Sequence, residues 1–175
     1  MKQLSNVLQI TLSFLLLTAG SRITVLAQAA KPDKKAELKA AIRHLVESQH
    51  YAFSAETVLP MGGKTGQLTT GYYDVKITQE SVVSYLPFFG TGYSVPEDDS
   101  KGGIKFTSKD FNYTESDGKK GGWRIVIKPK DTREVQQMTL NISSDGYTTL
   151  QVISSQRQPI SFYGSIVDIS AQAGR

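Results

Sequence analysis

The chain has 175 residues, a formal charge of +4 and no cysteine. Without thiols there are no disulfides, thiolate metal sites, cysteine nucleophile or lipidated cysteine. The length suits one core, and the charge is too small for nucleic acid, whose binding needs clustered Lys and Arg to release counterions.

Lys2 precedes an apolar stretch from Val7 to Ala19, about as long as a signal h-region and too interrupted for a comfortable membrane span. Arg22 breaks the run, and Ala27-Gln28-Ala29 offers the small residues of a peptidase site, with Ala19-Gly20-Ser21 as a second candidate. Residues 1–29 therefore read as a signal peptide, an uncleaved anchor being the alternative. Lys2 and Arg22 leave with it and no acids do, so the remainder carries +2. The mature protein is expected to be periplasmic or secreted, with no stable membrane anchor after cleavage.

Residues 30–36 read as a polar linker. A helix follows, with Asp33 as its cap and Ala36, Leu38, Ala41, Ile42, Leu45 and Val46 at helical spacing. Lys35, Glu37, Lys39, Arg43 and Glu47 are assigned to its opposite face. From Tyr51 the apolar period becomes two. Strands are expected near 51–59, 67–78, 81–87, 103–114, 122–129, 135–143, 147–154 and 159–168. Asp145-Gly146 marks the strongest hairpin, and Asp117 to Gly122 a looser one. Gly164, inside the last strand, marks a bulge or a close backbone approach.

The expected fold is mainly β within the α+β class: an antiparallel meander of about eight strands with one N-terminal helix. A barrel, lipocalin-like or otherwise closed, is favoured over a two-sheet sandwich because closure leaves no unpaired edge. The domain spans 37–168, and 169–175 is a C-terminal tail. One long connection, Pro87 to Gly103, interrupts the meander.

Several segments carry a resemblance: Tyr51 and Phe53; Gly71-Tyr72-Tyr73; Tyr85-Leu86-Pro87-Phe88-Phe89-Gly90 with Tyr93, Pro96 and Gly102-Gly103-Ile104; Gly146-Tyr147-Thr148-Thr149-Leu150; and Arg157-Gln158-Pro159 through Ile166. Together they resemble the domain of unknown function family 4251 over about residues 38–168. The resemblance implies an exported protein of a Bacteroidetes-type Gram-negative bacterium and no assigned activity. It also implies an Arg after the aromatic-Gly step, a position held here by Thr91, and many such relatives look like lipoproteins, which this chain, lacking cysteine, does not.

Phe88 and Phe89, adjacent in an extended segment, point to opposite sides. With Tyr93 and Tyr163 they are the candidate ligand-binding residues, lining a barrel mouth for a small apolar or carbohydrate molecule. The commoner use of such a Pro-aromatic step is a structural corner plugging the barrel's end. Arg157 either pairs with an acid of the long loop or is solvated. Glu97-Asp98-Asp99-Ser100 lacks the spacing of a calcium loop, and His44 and His50 lie on different helix faces, so no metal site is expected. Gly62-Gly63-Lys64-Thr65 lacks the earlier glycine of a phosphate loop, and no G-x-S-x-G elbow is present. No cofactor and no catalytic residue is expected, and a hydrolase using loop carboxylates is the weakest reading. The protein is expected to be non-enzymatic, its partner an unknown small molecule or an envelope protein. In the second case it is an interaction or envelope-structural module using the 87–103 loop or a strand edge.

Overall fold

The computed structural model describes residues 33–69, 71–89 and 103–172. Helix α1 (Lys34–Ser48) is followed by β1 (Tyr51–Pro60), β2 (Gly66–Gln67), β3 (Asp74–Ile77), β4 (Val82–Leu86), β5 (Ile104–Ser108) and β6 (Phe111–Asp117). Then come a 3₁₀ turn (Lys119–Gly121), β7 (Trp123–Pro129), β8 (Val135–Ile142), β9 (Tyr147–Ser154), β10 (Ile160–Asp168) and a short helix α2 (Ile169–Gln172). The segment 1–29 expected to be a signal peptide, Tyr93 and the acidic run 97–99 lie outside the described residues.

The sheet runs β5-β4-β3-β1-β10-β9-β8-β7-β6, with β2 beside β1, and all pairings are antiparallel. Its two outermost strands are consecutive in the chain. β5 pairs with β4 and β6 with β7, so 104–117 is one extended segment, bent at Lys109-Asp110, that borders both margins of the sheet. Counted as one strand, with β2 set aside, it reduces the ten strands to eight around a nearly closed up-and-down barrel.

A carboxylate from the β7–β8 turn holds the bend. Asp131 accepts from the Ser108 hydroxyl and from the Lys109 and Asp110 backbone N–H groups at 2.7 and 3.2 Å. Those amides leave the ladder at the bend and need another acceptor. The Ser108 hydroxyl, followed by these N–H groups, lowers the Asp131 pKa to about 2.

Inward positions alternate as the period of two requires: Trp123, Ile125 and Ile127 on β7, Leu150 and Val152 on β9, Ile160, Phe162 and Ile166 on β10. Tyr51, Phe53, Phe162, Met138, Leu140 and Leu150 are completely buried and fill the interior. Tyr51 and Tyr113 meet hydroxyl to hydroxyl at 3.2 Å. Burial raises both pKa values, that of Tyr113 to about 12.

Two glycines answer to close approaches. β1 bulges between Ala55 and Thr57, opposite Gly164 and Tyr163, and the Ser54 carbonyl occupies the place a Gly164 Cβ would take. Gly146 closes the β8–β9 hairpin with φ +89°, and a Cβ there would stand 2.8 Å from Ile42 of α1.

The helix crosses the barrel end that holds the β3–β4, β6–β7 and β8–β9 turns. Ile42 lies against Gly146, Lys39 Nζ beside Gly121, and Gln79 donates to the Ser48 carbonyl at 3.3 Å. Asp33 caps α1 by accepting from the Lys35 N–H at 3.1 Å, so the helix begins inside the segment read as linker. Its buried stripe is narrower than the apolar spacing implies: Ile42 and Val46 are buried and Leu45 half-buried, whereas Ala36, Leu38 and Ala41 are exposed. Lys39, three residues before Ile42, shares the inward side instead of the solvent face.

Three further differences follow from tertiary partners. The expected strand 67–78 is real only at Asp74–Ile77, with Gly66–Gln67 pairing separately on β1. The expected strand 103–114 continues to Asp117 through the Asp131 bend. The tail begins with one turn of helix, whose Ser170 N–H donates to Asp168 at 2.8 Å.

Candidate functional site

Of the four residues expected to line a mouth, the described residues do not bring Phe88 and Tyr163 together. Phe88 is half-buried at the end of the barrel away from α1 and packs on the core. The Arg157 guanidinium lies 4.9 Å from the centre of its ring. Phe89 is exposed just beyond it. Tyr163, alternating with the inward Phe162, stands on the outer wall of β10. The pleat puts them on different surfaces, and Tyr93 lies outside the described residues.

The far end is closed by an arginine. Arg157, with 9% of its side chain exposed, has Nη2 3.2 Å from Glu134 Oε1 and donates to the Gly103 carbonyl at 3.4 Å. The contact with Glu134 is an ion pair without hydrogen-bond alignment, since that buried oxygen has no hydrogen-bond donor among the described residues. Arg157 is thus neither solvated nor dependent on the long loop alone.

Two surface features were not singled out from the sequence. On the outer wall of β3 to β5, Tyr73 stacks on Tyr85 at 5.8 Å, Tyr72 meets Tyr73 edge-on at 5.9 Å, and Lys105 Nζ sits 4.7 Å over the Tyr85 ring. At the helix-capped end, the tips of the β6–β7 and β8–β9 hairpins enclose an open groove of about 820 Å³. Asp117, Lys119, Lys120, Trp123, Arg124, Asn141, Ile142, Ser143, Ser144 and Asp145 line it. The Ser143 hydroxyl donates to Asp145 and its backbone N–H to the Tyr147 carbonyl at 2.8 Å, which holds one wall in shape. Arg124 and Asn141 face each other across β7 and β8, and Thr149 and Tyr163 continue their row across β9 and β10. Tyr163 therefore belongs to a track leading from this groove, not to the Phe88 end.

The sequence held a trace of the groove. Two lysines stand in a turn otherwise made of glycines, Gly118-Lys119-Lys120-Gly121-Gly122. Lys120 adopts the left-handed conformation, φ 54° and ψ 33°, that glycine would take more cheaply. Among the described residues, no group of three or more His, Asp or Glu could hold a metal, and no helix is long and apolar enough to cross a membrane. His44 and His50 are both exposed, at the C-terminal half and just beyond the end of α1, and both help lower the pKa of Asp168, after the Ser170 hydrogen bonds.

Fold and surface define a class: a small up-and-down barrel, filled by its own side chains and stoppered at one end by a single helix. The family model for the domain of unknown function DUF4251 matches residues 33–166, and the chain belongs to that family. Its fold is similar to that of a DUF4251 family protein from Bacteroides eggerthii, at a TM-score of 0.60 and 18% identity, covering 80% of this chain and 95% of that one. No curated protein matches the chain.

Proposed function

We propose that this chain is an exported, non-enzymatic binding module that holds a polar, carbohydrate-type ligand in the groove at the helix-capped end of its barrel. One observation carries the reading: the interior is occupied by side chains such as Phe53, Phe162 and Leu150, whereas about 820 Å³ of space lies outside it between two hairpin tips. An apolar guest inside the barrel would have to displace those side chains. The groove instead presents Asn141, Ser143 and Ser144, groups that exchange hydrogen bonds with sugar hydroxyls, beside Trp123.

Export to the periplasm or beyond is supported by the amino-terminal charge, apolar run and small-residue site. Intact mass of the protein recovered from an envelope fraction checks it. Loss of residues 1–29 is expected, and retention of the full chain in the cytosol would refute export.

Trp123 is the only tryptophan, so its fluorescence reports on the groove without a label. Saturable quenching or a blue shift on titrating oligosaccharides is expected. Tight binding of a fatty-acid probe with release of core packing would count against the reading. A second reading, an interaction module for an envelope protein, rests on the Tyr72–Tyr73–Tyr85 stack, which exposes large aromatic surface on the opposite side of β1 from β10. A photo-crosslinker at Tyr72 forming a discrete chain-to-chain adduct, with none from the same group at Lys128, would favour it.

A further inference from the structure

We infer that the ligand of the hairpin-tip groove is anionic: an oligosaccharide bearing carboxylate or phosphate groups, held by Lys119, Lys120 and Arg124. This inference rests on the groove reading above and adds the charge of its occupant.

The cations are free to act. Lys119, Lys120 and Arg124 line the groove, and Lys39 brings its ammonium to the neighbouring Gly121. None of the four is in an ion pair among the described residues, where Lys76, Lys130 and Arg157 account for the ion pairs. Two acids share the lining, Asp117 and Asp145, and Asp145 already accepts a hydrogen bond from the Ser143 hydroxyl. The surplus charge around the space is therefore positive. An anion entering it meets donors held at the tips of two hairpins, with little rearrangement required.

A second observation is the backbone of Lys120. A lysine in the left-handed region is strained, and the turn uses glycine at Gly118, Gly121 and Gly122. Keeping a long cationic side chain at that position gives no packing return, since Lys120 is exposed. The side chain is explained by what it reaches, not by what it stabilises.

Trp123 borders the same space from β7, only 6% exposed. Asn141, Ser143 and Ser144 extend the site from a point charge to a surface that reads hydroxyl groups as well.

The experiment titrates the full mature chain with three probes, following Trp123 fluorescence: an oligogalacturonate, a phosphorylated oligomannose and a neutral cello-oligosaccharide. Saturable binding of one or both anionic probes, weakening as salt rises and at least about tenfold tighter than the neutral probe, is expected. Which anionic probe binds distinguishes carboxylate from phosphate. Lys120→Gly relieves the left-handed strain while removing the charge, so the variant stays folded, and about a tenfold loss of affinity is expected from it and from Arg124→Ala. Equal binding of neutral and anionic probes, unchanged in Lys120→Gly, overturns the anionic inference and leaves the groove reading standing. No fluorescence response to any probe overturns both.

Discussion

The two ends of the barrel use arginine in opposite ways. At the far end Arg157 is sunk against Phe88, beside Glu134 and the Gly103 carbonyl, and its charge is consumed in closing the structure. At the helix-capped end Arg124 is exposed on the wall of an open groove, beside two lysines that have no ion-pair partner among the described residues. One end is a plug and the other is a surface kept available. Function is better sought where charge is left uncommitted than where it has been neutralised at the cost of desolvation.

Removing the buried guanidinium is the sharpest way to break the contrast. Arg157→Ala leaves Glu134 partly buried without its counter-charge, and a loss of about 3 kcal/mol is expected in urea denaturation. Arg157→Lys recovers only part of it, because an ammonium cannot stack flat on Phe88 while donating to Gly103.

Gly146→Ala is expected to cost about 2 kcal/mol, since the new methyl would meet Ile42 in a backbone conformation that disfavours Cβ. Thermal denaturation followed by far-ultraviolet circular dichroism checks it, and an unchanged midpoint would mean that α1 is not docked on that hairpin.

Inside the barrel lies the Tyr51–Tyr113 pair. Tyr113→Phe leaves the buried Tyr51 hydroxyl without its partner and is expected to cost about 1–2 kcal/mol. The pair also sets an alkaline limit. Unfolded tyrosines ionise near the ordinary value of 10.0, whereas folded Tyr113 holds its proton to about 12. Stability from this site is therefore complete below pH 10 and drains away as pH rises toward 12. Urea midpoints across that range measure it, and a flat profile would contradict the burial of these hydroxyls.

The smallest effect is expected at the groove. Arg124→Ala changes stability by less than about 0.5 kcal/mol, because the side chain is exposed and is in no ion pair among the described residues. A cost near that of Arg157→Ala would make both ends structural.

Much of the barrel was legible because it is local. The alternation in Trp123 to Lys128 and in Met138 to Ile142, the Asp145-Gly146 turn and the Asp33 cap each depend on residues within a few positions of one another. The close approach at Gly164 was legible too, since glycine inside a strand has few other uses. The candidate site was not. Arg124 and Asn141 are separated in sequence by a whole hairpin arm, and Tyr163 joins their row only through β9. Phe88 and Tyr163 were both read as lining one barrel mouth, but only the completed sheet decides which surface each one faces.

From its residue pattern alone the chain determined an amphipathic helix, a succession of hairpins and an apolar face on each strand, because period and turn chemistry act within a few residues. Tertiary structure decided how the sheet closes, through an Asp131 carboxylate reaching back 22 residues to the bend at Lys109. It also decided which cations are neutralised and which are left facing solvent. The physical reason is that charge pairing and burial depend on distances in space, and chain order sets those distances only once the strands have paired.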